Sequence, residues 1–197
     1  PNGINEYWFK NSPQYKNKIK NLEINILQIG DINKNKNIET TIRSGKILIE
    51  RGYDLKLEVV GTVKDNKLYN LIKNYKFAKF YEYQLQEALL EIYNRNHIFV
   101  MPSINETFGL VYAEAISQGL PVIYTKGQGF DQQFGEGIVG YSVNPKNPVE
   151  IADKIVKIVD NYSVISRNCL EKSQKFNWSK IQSVYSDLYT ETAKKSV

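Results

Sequence analysis

Residues 98–124 read IFVMPSINETFGLVYAEAISQGLPVIY, and this stretch decides the fold. A run that is apolar at every position, 98–101, is followed by a polar loop, a helical pattern over 109–118 and a second apolar run at 121–124. Apolar strands of this kind are typical of parallel sheets that are covered on both faces. The stretch therefore predicts a strand, a crossover helix and a second, parallel strand.

The same alternation continues on both sides of this stretch. The predicted strands cover residues 24–29, 55–60, 77–80, 98–101, 121–124 and 139–143, and the predicted helices between them cover 38–51, 65–75, 85–95 and 109–118. Because strands and helices alternate strictly, we predict an α/β fold: a Rossmann-like, doubly wound parallel sheet of about six strands. After residue 148 only helical patterns follow, at 149–160, 164–174 and 179–193, which predicts a C-terminal helical tail.

These patterns divide the 197 residues into three parts. Residues 1–21 are polar and rich in Asn and Lys, which predicts a linker with one short helix near 13–20. Residues 22–147 form the predicted Rossmann-like unit, and 148–197 are predicted to pack on it as helices. The length itself suits one domain.

Composition excludes several classes of protein. Hydrophobic residues make up 42% of the chain, with only 12 glycines and 6 prolines, so collagen-like and disordered chains are excluded. The single cysteine, Cys169, cannot form an intramolecular disulfide or a site with several thiolates, which is typical of a reducing compartment. The sequence shows no membrane-spanning run and no signal peptide, and we predict a cytoplasmic location.

Positive charge is concentrated near the N-terminus. Residues 1–76 contain 14 Lys and Arg against 8 Asp and Glu, while the remainder has 12 against 13. Such an excess can attract nucleic acid, anionic lipid or a phosphorylated small molecule, or it can belong to solvated faces. The lysines lack the interleaved aromatic side chains of single-strand binders, so we predict no nucleic-acid partner.

Ligands of open parallel sheets bind beyond the carboxyl ends of the strands, where two loops are chemically unusual. The loop at 30–37, GDINKNKN, combines Gly30, which permits a tight turn, with Lys34 and Lys36 ahead of a helix start. Lysines beside free backbone N–H groups would suit a diphosphate. A surface loop with solvated lysines is an equally good interpretation of these residues alone.

The second loop carries a glutamate, and the helix after it carries another. Glu114 lies on a helix that is apolar nearly all round, so its carboxylate should accept hydrogen bonds from the protein or from ligand hydroxyls. Glu106, eight residues earlier, could face the same cleft. Glu50 and Glu58 have the same spacing but straddle a helix end and a strand, away from the ligand-binding edge. A third loop, 126–131, contains two glycines that could let the backbone approach a bulky ligand.

These motifs resemble a known family. Residues 102–115, PSINETFGLVYAEA, followed by GLPV at 119–122, are similar to the signature of the retaining family 4, or group 1, glycosyltransferases. The chain resembles the C-terminal, donor-binding domain of their two-domain GT-B fold. Weaker matches are residues 1–4 with Phe9 to the interdomain linker, Gly30 with 36–37 to the first phosphate loop, 127–131 with Gly140 to the donor loop, and 176–178 with Tyr189 to the closing helix.

The resemblance implies roles for individual residues. Glu106 would contact the donor sugar near its anomeric centre and Glu114 the ribose hydroxyls, while Lys36 would neutralise the departing diphosphate. Glu106 and Lys36 are thus the expected catalytic residues, and the expected donor-binding residues are Gly30, Lys34, Glu106, Thr107, Phe108, Gly109, Leu110, Glu114, Gly127, Gly129 and Tyr83. Asp31 departs from the family, which usually has arginine there, and the only histidine, His97, is interpreted as structural.

The resemblance also implies an activity. We expect a retaining, hexosyltransferase-type enzyme of polysaccharide biosynthesis that moves a sugar from an NDP-sugar to a hydroxyl of a glycan or lipid-linked acceptor, with no cofactor and no metal. The acceptor domain would precede Pro1 in a longer protein and could bind the inner face of a membrane; the fragment alone would be inactive. The alternatives are a GT-B sugar epimerase or phosphorylase, and a non-catalytic nucleotide-binding module.

Overall fold

The computed structural model of the chain describes residues 2–14, 19, 22–183 and 185. Its strands are β1 (Glu23–Ile29), β2 (Asp54–Val60), β3 (Ala78–Tyr81), β4 (Ile98–Val100), β5 (Val122–Thr125) and β6 (Gly140–Val143). Its helices are α1 (Glu6–Lys10), α2 (Ile38–Glu50), α3 (Asn66–Lys73), α4 (Gln86–Arg95), α5 (Leu110–Ser117), α6 (Pro148–Asp160) and α7 (Tyr162–Ser173), with short 3-10 helices at Lys34–Lys36 and Gln174–Phe176.

Within the described residues the six strands form one parallel sheet in the order β3-β2-β1-β4-β5-β6. The chain runs outward from β1 to β3, then crosses back to place β4 on the other side of β1. Because such crossovers are right-handed, the reversal puts helices on both faces of the sheet. In agreement, α2 packs against α6, and α5 packs against α7. The predicted doubly wound α/β fold is confirmed.

The strands lie where the apolar runs predicted them. β1 pairs with β2 along its whole length, from Glu23 with Asp54 to Ile29 with Val60. The three residues of β4, at the centre of the sheet, are fully buried, as their uninterrupted apolar sequence predicted. The predicted helices between β1 and β5 also form, each within two residues of its predicted bounds.

The N-terminal segment contributes more to the core than its polar composition predicted. α1 was not predicted; Asn5 caps it, and its Trp8 is only 1% exposed. Ile4 pairs with Asn177, and the Trp178 ring lies against Gly3, where a Cβ atom would come within 2.7 Å of it. The two segments that resemble the interdomain linker and the closing helix of the family therefore contact each other.

Some predictions lie outside the described residues. These are most of the short helix near 13–20, the end of the helix predicted over 179–193, and Tyr189. The division into 1–21, 22–147 and 148–197 stays a prediction. None of the helices among the described residues is both long and apolar enough to cross a bilayer.

Candidate functional site

Three loops meet at the carboxyl edge of the sheet: the first loop (residues 30–37) after β1, the second loop (101–109) after β4 and the third loop (126–131) after β5. The first and second are joined through Asn35, whose side chain exchanges two hydrogen bonds of 2.9 Å with the backbone of Asn105. The second and third are joined by Gly129 N–H, which donates to the Glu106 carbonyl at 3.0 Å, and by Glu106 N–H, which donates to Gln128 at 2.9 Å. The loops therefore form one connected surface.

The two residues expected to be catalytic form an ion pair at this surface. Lys36 Nζ lies 2.7 Å from Glu106 Oε2, with side-chain exposures of 23% and 11%. Asn33 caps the Lys36 N–H at 3.0 Å, and the Gln28 side chain donates to the Lys36 carbonyl at 2.6 Å, so the backbone of Lys36 is held at both ends. The Lys36 stem crosses Gly30, where a Cβ atom would come within 3.2 Å of it.

The N-terminus of α5 opens beside this pair. Gly109 has a φ of +71°, and a Cβ atom there would come within 2.6 Å of the Tyr112 ring, so both conformation and space require glycine. No side chain of the described residues caps α5. Its first N–H groups can therefore donate to the oxygens of an anionic ligand. Leu110, the first residue of α5, is 43% exposed here.

Glu114 lies one turn further along α5 and is half-buried. Its Oε2 accepts a hydrogen bond of 3.2 Å from the Tyr93 hydroxyl. Burial raises the pKa of Glu114, while the Tyr93 hydroxyl and the nearby indole N–H of Trp8 oppose that rise. The Trp8 indole nitrogen makes no hydrogen bond within the described residues. Among the described side chains Tyr93 is the one that donates a hydrogen bond to this carboxylate, whose remaining lone pairs can accept from ligand hydroxyls.

A pocket of about 210 Å³ lies at the ends of β1 and β2. Gly30, Asp31, Gly61 and Tyr83 line it, and Tyr83 is 70% exposed. Gly61 was missed by the sequence analysis, although a glycine directly after a strand was a usable signal. A Cβ atom on Gly61 would lie 1.9 Å from the Gly30 carbonyl oxygen. The loops after β1 and β2 can therefore approach this closely only because residue 61 is glycine.

The remaining residues of the expected donor site differ from one another in exposure and packing. Lys34 and Thr107 are exposed, and the Phe108 ring packs edge-on against Phe176 at 5.8 Å. Gly129 was expected to let a ligand approach, but a Cβ atom there would lie 1.7 Å from the Thr107 carbonyl oxygen, so it serves the packing of two loops. Gly127, with a φ of +75°, has open space around it and remains available to a ligand.

Asn37 was also missed as a site residue. Its side-chain amide donates to the carbonyls of Pro102 at 2.9 Å and Pro145 at 2.7 Å, which ties the loops after β1, β4 and β6 together. Its φ of +54° lies in the left-handed region, which asparagine tolerates better than most residues. His97 lies at the amino end of β4, away from the three loops, where its Nδ1 accepts a hydrogen bond of 3.0 Å from the Asn25 N–H, in agreement with a structural role.

The loops place a Lys–Glu pair beside an open helix N-terminus at the carboxyl ends of the strands, which is where ligands of Rossmann-like, doubly wound sheets bind. The model of the family described as "Glycosyl transferases group 1" matches residues 10–176 of the chain. The chain belongs to this family, and the resemblance found in the sequence is confirmed.

Three proteins illustrate the relationship. The chain is 28% identical over 188 residues to the capsular polysaccharide biosynthesis glycosyltransferase CapM of Staphylococcus aureus, covering 89% of this chain and 49% of CapM. Sucrose-phosphate synthase from Thermosynechococcus elongatus superposes with a TM-score of 0.77 at 23% identity, over 99% of this chain and 52% of the synthase. Anabaena HepE, solved in complex with UDP and glucose, gives 0.76 at 18% identity, over 95% and 55%. The two structures show a shared fold, and the chain spans about half the length of each relative.

Proposed function

We propose that the chain is the donor-binding half of a retaining glycosyltransferase, which moves a sugar from an NDP-sugar to a hydroxyl of a glycan or lipid-linked acceptor. The observation that carries this proposal is the ion pair of 2.7 Å between Lys36 and Glu106 at the carboxyl edge of a group 1 chain. The UDP and glucose in the HepE structure support a nucleotide-sugar donor. The name of CapM supports a role in polysaccharide biosynthesis.

The ion pair suits a ligand that carries both phosphate and hydroxyl groups. A diphosphate would take the Lys36 ammonium, and a sugar hydroxyl would donate to the Glu106 carboxylate that the lysine leaves. When the bond between the anomeric carbon and the phosphate oxygen breaks, its electron pair stays on the diphosphate, whose negative charge grows. Lys36 would then bind the transition state more tightly than the ground state, which is the requirement for catalysis.

Glu114 and the pocket beside Tyr83 would hold the rest of the donor. An ionised carboxylate only accepts hydrogen bonds, so Glu114 can bind the two ribose hydroxyls, while the pocket at Gly30 and Gly61 can take the base. We propose that no metal is needed, because Lys36 and the α5 N-terminus supply positive charge; equal donor affinity with and without EDTA would support this. The acceptor domain, its membrane contact and the cytoplasmic location stay predictions.

The proposal is tested by calorimetric titration of the chain with UDP, GDP and ADP. We expect one nucleotide to bind with micromolar to millimolar affinity, and the binding to be lost in Glu114→Ala. Glu50→Ala, which removes an exposed glutamate at the end of α2, is the matched control and should bind like the parent chain. A folded chain that binds none of the three nucleotides would contradict the proposal.

A further inference from the structure

The side of Glu114 that faces the protein interior is built from two aromatic residues of other helices. Tyr93, on α4, and Trp8, on α1, are almost completely buried, and their rings meet edge to face with centroids 5.4 Å apart. The Tyr93 hydroxyl donates to Glu114 Oε2 at 3.2 Å. A buried hydroxyl that donates to a half-buried carboxylate restricts where that carboxylate can point.

Helix α1 is held firmly against α5, the helix that carries Glu114. The Gln118 side chain donates to the Trp8 carbonyl at 2.7 Å, and the Ser12 hydroxyl donates to the Ser117 carbonyl at 2.6 Å. These two hydrogen bonds join the α1 segment to the C-terminal end of α5. Trp8, Tyr93 and α5 are therefore packed against one another.

A carboxylate that binds two hydroxyls gains from being held before the ligand arrives. It has about four lone-pair positions, and one hydrogen bond from a tyrosine leaves the others for a ligand. Fixing the side chain in advance removes the cost of ordering it on binding. A phenylalanine at position 93 would keep the packing but leave the Glu114 carboxylate free to rotate.

We propose that Tyr93, supported from behind by Trp8, is a positioning residue that holds the Glu114 carboxylate in the orientation that binds the ribose of a nucleoside diphosphate. The inference rests on the proposed function, which assigns the ribose to Glu114. It extends the site to α1 and α4, which carry none of the expected donor-binding residues.

The ionisation of Glu114 adds a second consequence. Burial raises its pKa, and the groups on packed elements that lower it are the Tyr93 hydroxyl on α4 and the Trp8 indole on α1. Among the described residues no charged group on another element packed against α5 shifts the Glu114 pKa. Removal of the Tyr93 hydroxyl therefore raises the pKa further, and protonation of the carboxylate would weaken nucleotide binding from a higher pH downward.

The experiment compares two tyrosine-to-phenylalanine variants of the whole chain. Tyr93→Phe removes the hydroxyl that donates to Glu114. Tyr162→Phe removes another buried hydroxyl, on a ring that contacts His97 at the amino ends of the strands, away from the candidate site. The Kd for UDP, GDP and ADP is measured by calorimetry at about pH 8 and about pH 5.5. We expect Tyr93→Phe to weaken binding about five- to tenfold at the higher pH and more at the lower, and Tyr162→Phe to change it less than about twofold.

The outcomes separate this inference from the proposed function. If Glu114→Ala abolishes binding but Tyr93→Phe and Tyr162→Phe behave alike, the inference is wrong and the proposed function stands. If Glu114→Ala binds like the parent chain, both are wrong. Should Tyr93→Phe fail to show a cooperative thermal transition, Trp8→Phe decides, because it removes the support behind Tyr93: weaker nucleotide binding by a folded variant supports the inference, and binding equal to that of the parent chain overturns it.

Discussion

Two half-buried glutamates in this molecule, Glu58 and Glu106, differ in how fully the protein satisfies them. Their side chains are 15% and 11% exposed, and each lies close to a cation, Arg95 at 2.9 Å and Lys36 at 2.7 Å. Glu58, on β2, also accepts from the Asn96 side chain at 2.7 Å and the Tyr81 hydroxyl at 2.9 Å. Among the described side chains, Lys36 is the only donor to Glu106.

The difference separates a carboxylate that holds the fold from one that can bind a ligand. Arg95 donates its Nε to both Glu58 oxygens, so a ligand would have to replace several donors at once. Lys36 is a point charge on a flexible stem, and it can turn from Glu106 to a phosphate at little cost. The backbone around Glu106 is held in place instead by two contacts: Gly129 packs closely against Thr107, and the Asn37 side chain donates to the Pro102 carbonyl.

The largest effect should come from Gly129→Ala, which breaks the rigid backbone around Glu106. A methyl group there would lie 1.7 Å from the Thr107 carbonyl oxygen, so the second and third loops must separate. We expect a loss of about 3 kcal/mol in the free energy of unfolding, measured in urea. Gly135→Ala is the control, because its methyl group would meet only Ile138 at 3.6 Å. Equal stability of the two variants would contradict this account of Gly129.

The next effect is that of Asn37→Asp. The substitution removes the two N–H donors that Pro102 and Pro145 accept and places a carboxylate against their carbonyls. We expect a loss of about 2 kcal/mol in unfolding free energy and weaker nucleotide binding. Asn35→Asp, which removes a single exposed donation to the Asn105 carbonyl, should cost less than half as much. A larger loss for Asn35→Asp would show that the loops are joined mainly through Asn35.

A direct test of the comparison is Glu58→Gln beside Glu106→Gln. Glu58→Gln should lower the unfolding free energy by about 1–2 kcal/mol, because Arg95 loses its counter-charge and at least one donor loses its acceptor. Glu106→Gln should cost less than Glu58→Gln, because only one described side chain donates to Glu106, and it should weaken binding of a nucleotide sugar. Similar losses in the two variants would remove the distinction between them.

The smallest effect is the pH dependence of stability. Burial raises the pKa of Glu58, but hydrogen bonds from Arg95, Asn96 and Tyr81 outweigh it, and the pKa lies below its ordinary value of 4.5. The contribution of Glu58 is therefore present above pH 4.5 and lost as the pH falls through the lowered pKa. Urea unfolding of Glu58→Gln and the parent chain should converge in acid.

Glu114 should show the opposite dependence. Because burial raises its pKa above the ordinary 4.5, the folded state is favoured below that value and loses this advantage as the pH rises through the raised pKa. Glu114→Gln should accordingly be slightly more stable than the parent chain at neutral pH, although it loses nucleotide binding. A destabilised Glu114→Gln at neutral pH would contradict the idea that this carboxylate serves binding at the expense of stability.

The sequence was sufficient for those parts of the molecule that depend on local pattern. Short apolar-rich runs located the six described strands, and their alternation with helices predicted a parallel sheet; the central strand β4, which is covered on both faces, is apolar at every position. The motif around Glu106 and Glu114 was visible for a similar reason: both carboxylates lie within one strand-to-helix unit. The resemblance of residues 102–115 and 119–122 to the family signature therefore identified the family before any contact was known.

Tertiary structure alone decided which residues meet. Lys36 and Glu106 are 70 positions apart, Asn37 and Pro145 108, and Gln118 and Trp8 110, so no local pattern could pair them. Trp8 lies in the polar segment that the sequence predicted to be a linker, yet it packs behind Glu114 because α1 folds back onto α5. The physical reason is that sequence periodicity indicates whether a side chain is buried. Which loops contact each other at the carboxyl ends of the strands depends instead on the order of the strands in the sheet.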